Sequence, residues 1–216
     1  MDGTLVDTEP YWMTAETALV ESFGGSWSHE DALQLVGNGL YESAEVLQRA
    51  GVQMGPVEIV DRLTDRVQEL LQSQGVPFRP GAKELLHDLR NAGIRTALVT
   101  MSLRRMAQGV VDLIGFDAFD FIVAGDDVEN PKPHPEPYLR AAELLGVEID
   151  DTVVIEDSPT GLRAGIASGA VTLGVPHIVS LDDVGAHELW PTLHQRGASD
   201  IAELFARTTT TTGVAR

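Results

Sequence analysis

From Pro77 and Pro80 onward the chain alternates short apolar runs with helical patterns, and this alternation restricts its fold more than any other feature. The spacing predicts helix 82–91, Gly93, strand 94–100, helix 103–113, strand 119–124, helix 136–145, strand 152–155, helix 161–167 and strand 171–173. Strands separated by helices must cross over and line up in parallel, with helices on both faces of the sheet. Ala97-Leu98-Val99 and Val153-Val154-Ile155 are apolar throughout, as strands buried on both sides should be. In such an α/β fold, functional groups belong at the carboxyl ends of the strands, beside a topological switch point.

Before Pro77 the character is helical. Pro10 suits a first helical position, and Trp12, Ala15, Leu19 and Phe23 recur at helical spacing until Gly24-Gly25. Ser28 with Asp31 resembles an N-cap opening helix 32–36, a third helix covers about 41–49, and Pro56 opens a fourth. Val57, Val60, Leu63, Val67, Leu70 and Leu71 mark the buried face of that fourth helix. The expected organisation is an α/β core from 1–8 and 76–207, an all-helical insert over 9–75, and a flexible, low-complexity threonine-rich tail over 208–216. A chain of 216 residues accommodates this and little more.

Composition narrows the chemistry. The absence of cysteine removes disulfides, thiolate nucleophiles and thiolate-bound zinc together, which leaves oxygen and nitrogen ligands and favours a hard cation. A net charge of −18 repels nucleic acid and anionic membranes, so neither is expected as a partner. No window approaches the ~18 apolar residues of a membrane span, and the expected compartment is the cytoplasm.

The residues that follow the apolar runs form a polar edge: Thr100, Gly125-Asp126-Asp127 and Glu156-Asp157. Thr100 and Ser102 stand where a strand turns into a helix, so hydroxyls and backbone N–H groups can converge on an anion, with simple N-capping as the competing reading. Glu156-Asp157 can bind Mg²⁺, which prefers octahedral oxygen ligands, or can serve as a cap or turn. Lys132 lies in Asn130-Pro131-Lys132-Pro133-His134-Pro135, where prolines restrict the backbone; a solvated surface lysine is the alternative. Asp2-Gly3-Thr4 alone would read as a turn. Together these groups supply much of what phosphoryl transfer demands: charge neutralisation, and a proton donor for the leaving group.

At this point the residues resemble a known family. Asp2-Gly3-Thr4-Leu5-Val6-Asp7-Thr8-Glu9-Pro10, Val99-Thr100-Met101-Ser102, Lys132-Pro133-His134-Pro135 and Val154-Ile155-Glu156-Asp157-Ser158-Pro159-Thr160-Gly161 look like the ordered motifs of the haloacid dehalogenase superfamily. Within it they are similar to the beta-phosphoglucomutase-like phosphatases, which carry a helical cap after the first motif. The resemblance implies a Rossmann-like parallel-sheet core with residues 9–75 as a mobile cap, and Asp7 and Thr8 near its hinge. By resemblance, Thr100 and Lys132 bind the phosphoryl group, with Met101 and Ser102 alongside in the substrate site. Asp157, helped by Glu156, holds Mg²⁺, while Asp2 is the general acid/base and lends its backbone carbonyl to the metal. Gly37 and Asn38 fall in a cap loop that faces substrate or is a plain turn.

In this family the first motif is Asp-x-Asp-Gly-Thr, and its first aspartate is the nucleophile that forms an aspartyl phosphate. Met1 occupies the x position, so the nucleophile and the central strand that carries it would fall before Met1. The expectation is a natural protein that begins earlier, with the 216-residue chain folding poorly and not turning over. The expected function is Mg²⁺-dependent hydrolysis of a small phosphorylated metabolite. The alternatives are a sugar-phosphate mutase, a dehalogenase, or a degenerate, non-catalytic binding module. Trp12 and the stretch Leu35-Val36-Gly37-Asn38-Gly39-Leu40 stand where mutases of the subgroup carry a histidine and an arginine, and Asp2 argues against a dehalogenase. The sequence sets neither the substrate nor an oligomeric state.

Overall fold

The computed structural model describes residues 1–35 and 39–211. Helices α1 (Glu9–Ser22), α2 (His29–Leu33), α3 (Leu40–Arg49) and α4 (Pro56–Gln74) come first. The rest alternates: α5 (Ala82–Asn91), β1 (Ala97–Val99), α6 (Arg104–Asp112), β2 (Phe121–Val123), α7 (Glu136–Leu145), β3 (Val153–Glu156), α8 (Pro159–Ser168), β4 (Val171–Gly174), β5 (Glu188–Leu189) and α9 (Ala198–Thr211).

The expected parallel pairing is present. β1 pairs with β2, with Ala97 opposite Phe121, and β3 pairs with β4, with Val153 opposite Val171. β4 then pairs with the two-residue edge strand β5, which is too short to leave a sequence signature. Among the described residues these form two separate sheets, ordered β1-β2 and β3-β4-β5. β1 and β3 therefore each keep one edge without a strand neighbour, and Val99, Val153 and Ile155 are only half-buried despite their apolar character. The strands are also shorter than the apolar runs: Ile94, where the first run starts, is exposed and lies outside β1.

The four N-terminal helices are present, with two corrections: the second spans His29–Leu33 rather than 32–36, because Ser28 caps it directly, and the first turn of α4 is oriented differently. Ser28 and Asp31 form a reciprocal capping box at α2, the Asp31 N–H donating to Ser28 Oγ at 3.1 Å and the Ser28 N–H to Asp31 Oδ2 at 2.9 Å. On α4, Val60, Leu63, Val67, Leu70 and Leu71 are buried as expected, but Val57 is 61% exposed and Ile59 fills the core instead. Val57 is in the first turn, beyond the reach of the α1 and α3 side chains packed on the rest of the helix.

Two chain crossings join this helical layer to the α/β part. The Asp7 N–H donates to the Pro77 carbonyl at 2.8 Å and the Arg79 N–H to the Leu5 carbonyl at 2.9 Å, with Val6 and Phe78 bridged antiparallel. A second contact lies between α4 and α6. The Arg105 guanidinium donates to the carboxylates of Asp61 and Asp65, and Gln68 Nε2 donates to the Arg105 carbonyl at 2.8 Å.

The threonine run is a further correction. Residues 208–211 continue α9 rather than fray, with the hydroxyls of Thr208 and Thr210 donating to the carbonyls of Leu204 and Ala206. Ile201 and Leu204 bury the helix in the core, and packing overrides the low helix propensity of threonine. Residues 212–216 lie outside the described residues.

Candidate active site

The first-motif turn sits at the carboxyl ends of β1 and β3. The Met1 carbonyl accepts the N–H groups of Leu5 at 2.8 Å and Val6 at 3.2 Å, and the Gly3 N–H donates to the Val6 carbonyl at 2.8 Å, which closes a tight loop. Gly3 has φ of 76°, and a Cβ there would lie 2.0 Å from Asp157 Oδ2. Only glycine permits both the backbone turn and the carboxylate lying on it.

Asp2 is held from two elements. Its Oδ2 accepts the Ser102 hydroxyl at 2.7 Å, and its Oδ1 accepts the Thr8 hydroxyl. Thr8 stands at the N-cap of α1 and Ser102 one residue before the Leu103 N-cap of α6, yet neither cap residue makes a side-chain capping bond. The hydroxyls serve the carboxylate instead. Thr100 is buried and its Oγ1 accepts the Ser102 N–H at 3.1 Å, while Met101 turns its sulfur to the Lys132 N–H at 3.4 Å.

Lys132 is no surface lysine. Its side chain is 7% exposed and that of Glu156 8%, and its Nζ donates to Glu156 Oε1 at 2.6 Å and to the Val99 carbonyl at 3.2 Å. The Tyr138 hydroxyl donates to the same Oε1, and the ammonium lies 4.7 Å from the centre of the Tyr138 ring. Burial pushes the Glu156 carboxyl up, but the Lys132 ammonium and the hydrogen bonds from Lys132 and Tyr138 overcome this and hold it below the usual glutamate value. Burial and the Glu156 carboxylate drive the Tyr138 phenol well above its ordinary range. Glu156 in turn lies over Gly161, where a Cβ would come within 2.2 Å of its carboxyl carbon.

Asp157 has the opposite balance. Burial first, and the Glu156 charge second, raise its pKa, although the Thr4 hydroxyl donates to Oδ1 at 2.6 Å. A carboxylate held up in this way, among oxygen groups and without thiolates, fits a hard cation that keeps several waters. Glu156 is already engaged by Lys132 and Tyr138, and among the described residues no three His, Asp or Glu side chains are grouped as a cage.

The structure thus gathers these residues in two hydrogen-bonded sets, Asp2–Ser102–Thr100 and Met101–Lys132–Glu156–Asp157, which meet along the chain at residues 100–102. Gly37 and Asn38 lie outside the described residues. Asp126 and Asp127 are used otherwise, receiving the backbone and the guanidinium of Arg104. His134 is exposed, with Nδ1 accepting the Glu136 N–H at 3.2 Å. Sequence reasoning missed Tyr138, whose position in α7 reads as plain core, and His177, whose Nε2 lies 3.0 Å from Asp7 Oδ1.

A parallel α/β core whose strand ends gather an aspartate, hydroxyls, a buried lysine and an acidic pair defines a phosphoryl-transfer type of site. The model of the haloacid dehalogenase-like hydrolases matches residues 1–175, and the chain belongs to that family. It is 31% identical over 185 residues to the phosphorylated carbohydrates phosphatase of Thermotoga maritima, covering 85% of each chain. It is 29% identical over 180 residues to hexitol phosphatase B of Escherichia coli, covering 82% of this chain and 81% of that one. Among solved structures, CbbY from Rhodobacter sphaeroides in complex with phosphate superposes with a TM-score of 0.84 at 27% identity, covering 94% of this chain and 96% of that one.

Proposed function

We propose that the protein is a Mg²⁺-dependent phosphatase of small phosphorylated carbohydrates that works through an aspartyl-phosphate intermediate. The observation that carries this reading is Asp2, fixed by Thr8 and Ser102 beside Thr100 and the buried Lys132–Glu156 pair. The names of the relatives, a phosphatase of phosphorylated carbohydrates and one of hexitols, support the substrate class.

In this reading Thr100 and Lys132 bind the phosphoryl oxygens, and Met101 and Ser102 line the same pocket. Glu156 and Tyr138 hold the ammonium at the strand ends, where its position is fixed before substrate arrives. Asp2 protonates the leaving oxygen and then takes a proton from the attacking water. Both of its carboxylate oxygens are anchored, so the carboxyl is oriented for each step. Asp157, helped by Glu156, and the backbone carbonyl of Asp2 would hold Mg²⁺, and the bound ion would neutralise charge on the phosphoryl group. The aspartyl phosphate would form on the first aspartate of an Asp-x-Asp-Gly-Thr motif whose second aspartate is Asp2. Residues 9–75 act as the cap over this site.

The test measures phosphate release from an aryl phosphate and a panel of sugar and alditol phosphates by the protein with a complete Asp-x-Asp-Gly-Thr motif, with and without EDTA, beside its variant in which the first aspartate of that motif is asparagine. Hydrolysis of the phosphomonoesters that is lost with EDTA and in the asparagine variant is expected. No phosphate release from any member of the panel sinks the phosphatase reading in favour of a binding module.

A further inference from the structure

Arg79 has no carboxylate partner among the described residues, although the chain carries a net charge of −18. Its guanidinium donates instead to two main-chain carbonyls, that of Gly3 in the first-motif turn and that of Pro176 after β4, the latter at 3.2 Å. Its backbone N–H donates to the Leu5 carbonyl at 2.9 Å, so one residue of the second chain crossing grips the turn at two points. The loop at the other end of the guanidinium is itself fixed to β3, the Val175 N–H donating to the Glu156 carbonyl at 2.7 Å. A charged donor on a carbonyl makes a stronger bond than a neutral one.

Gly3 is the reason the turn needs such a grip. A glycine leaves the peptides on its two sides free to rotate, and here its φ is 76°. On the N-terminal side the Gly3 N–H donates to the Val6 carbonyl at 2.8 Å. The trans peptide then turns the Asp2 carbonyl the opposite way, and among the described residues no donor meets that carbonyl. On the C-terminal side the peptide between Gly3 and Thr4 is held by the Thr4 N–H, 3.3 Å from the Met1 carbonyl, and by Arg79. Thr4 follows this peptide, and its hydroxyl donates to Asp157 Oδ1 at 2.6 Å. Arg79 therefore acts on both groups read as ligands of the cation: on the Asp2 carbonyl through the backbone of Gly3, and on Asp157 through Thr4.

We propose that Arg79 is a positioning residue for the divalent cation: by holding the Gly3 carbonyl it keeps the Asp2 carbonyl and the Asp157 carboxylate turned toward the same ion. This rests on the phosphatase reading, with its magnesium at Asp157 and the Asp2 carbonyl, and adds what orients those ligands. It also carries a sign that charge alone does not. A guanidinium repels a cation, so electrostatics by itself predicts tighter metal binding once the arginine is removed, whereas loss of positioning predicts weaker binding.

The test is Mn²⁺ binding, read from the electron paramagnetic resonance signal of the free ion, to the protein with a complete Asp-x-Asp-Gly-Thr motif and to its Arg79→Ala and Arg79→Lys variants. Arg79→Ala should weaken Mn²⁺ binding about tenfold, the lower end of the effect of residues that orient metal ligands. Arg79→Lys, which keeps the charge and one donor for the Gly3 carbonyl, should recover part of the loss. In aryl phosphate hydrolysis by Arg79→Ala, the Mg²⁺ concentration for half-maximal rate should rise by a similar factor, and saturating Mg²⁺ should restore most of kcat. Unchanged or tighter Mn²⁺ binding in Arg79→Ala overturns the proposal. A loss of kcat that saturating Mg²⁺ does not restore overturns it as well, and makes Arg79 a general support of the turn. Both outcomes leave the wild type hydrolysing phosphomonoesters, whereas a wild type that binds no Mn²⁺ overturns the magnesium reading and the proposal together. Should Arg79→Ala not fold, Arg79→Lys decides: with the charge kept, about threefold weaker Mn²⁺ binding supports the grip on Gly3, and equal binding overturns it.

Discussion

Lys132 and Glu156 solve the problem of buried charge by pairing, and Glu16 does not. The pair is held by a 2.6 Å contact and by the Tyr138 hydroxyl. Substituting Lys132→Met removes one partner and leaves a carboxylate in a dry pocket, which should cost about 3–5 kcal/mol of unfolding free energy near pH 8. The sign of its pH dependence should reverse. In the wild type the depressed Glu156 contributes stability above the unfolded glutamate pKa, lost as pH falls through the folded one. In the variant the acid form is the stable one, so urea unfolding at pH 5 should recover much of the loss. Burial pushes both Glu9 and Glu16 up to about 7. A raised carboxyl binds more protons folded than unfolded, so each term favours the fold below about pH 4.5 and is lost as pH rises towards about 7. Glu16→Gln should flatten thermal stability over that window and raise the melting temperature at pH 8. The positions of Thr100 and Asp157 were legible, because the apolar runs of β1 and β3 stop beside them, whereas Lys132 lies in the loop between β2 and α7, where only its proline neighbours mark it. Tyr138 was not, since it owes its role to a partner distant in sequence, Glu156, that no local pattern names.

Element by element, helices were read more accurately than strands. Helices α5 (Ala82–Asn91) and α7 (Glu136–Leu145) coincide with their predicted spans, because capping glycines and prolines mark their ends. Strand lengths depend instead on which neighbours pair with them, and among the described residues β1 and β3 each have a strand on one side only. The face of α4 was read by periodicity, which placed Val57 in the core although nothing covers the first turn on that side. The contact of α4 with α6 follows from sequence even less, because Arg105 reaches Asp61 and Asp65 across the layer boundary. These carboxylates are largely exposed, at 56% and 63%, so the ion pairs contribute little to global stability. Arg105→Ala should therefore change unfolding free energy by less than about 1 kcal/mol. Its effect should be local, as faster amide exchange in α4 and α6 without a change in α8. Equal acceleration throughout the chain would show that the contact supports the whole fold.

At the scale of the whole molecule, charge is the dominant property. With −18 on 216 residues, self-repulsion works against compactness, and the exposed arginine pairs offset only part of it. Raising NaCl from about 0.01 to about 0.5 M shortens the screening length from roughly 30 Å to a few ångströms, so the melting temperature should rise by several degrees. A fall would mean that the surface ion pairs outweigh the repulsion. The helical layer and the α/β part meet through side-chain contacts and two covalent crossings, tied at mid-span by the bridge between Val6 and Phe78. Mechanically this is a pair of leaf springs riveted together: bending both leaves in the same sense is compliant, while sliding or twisting one against the other strains the rivet.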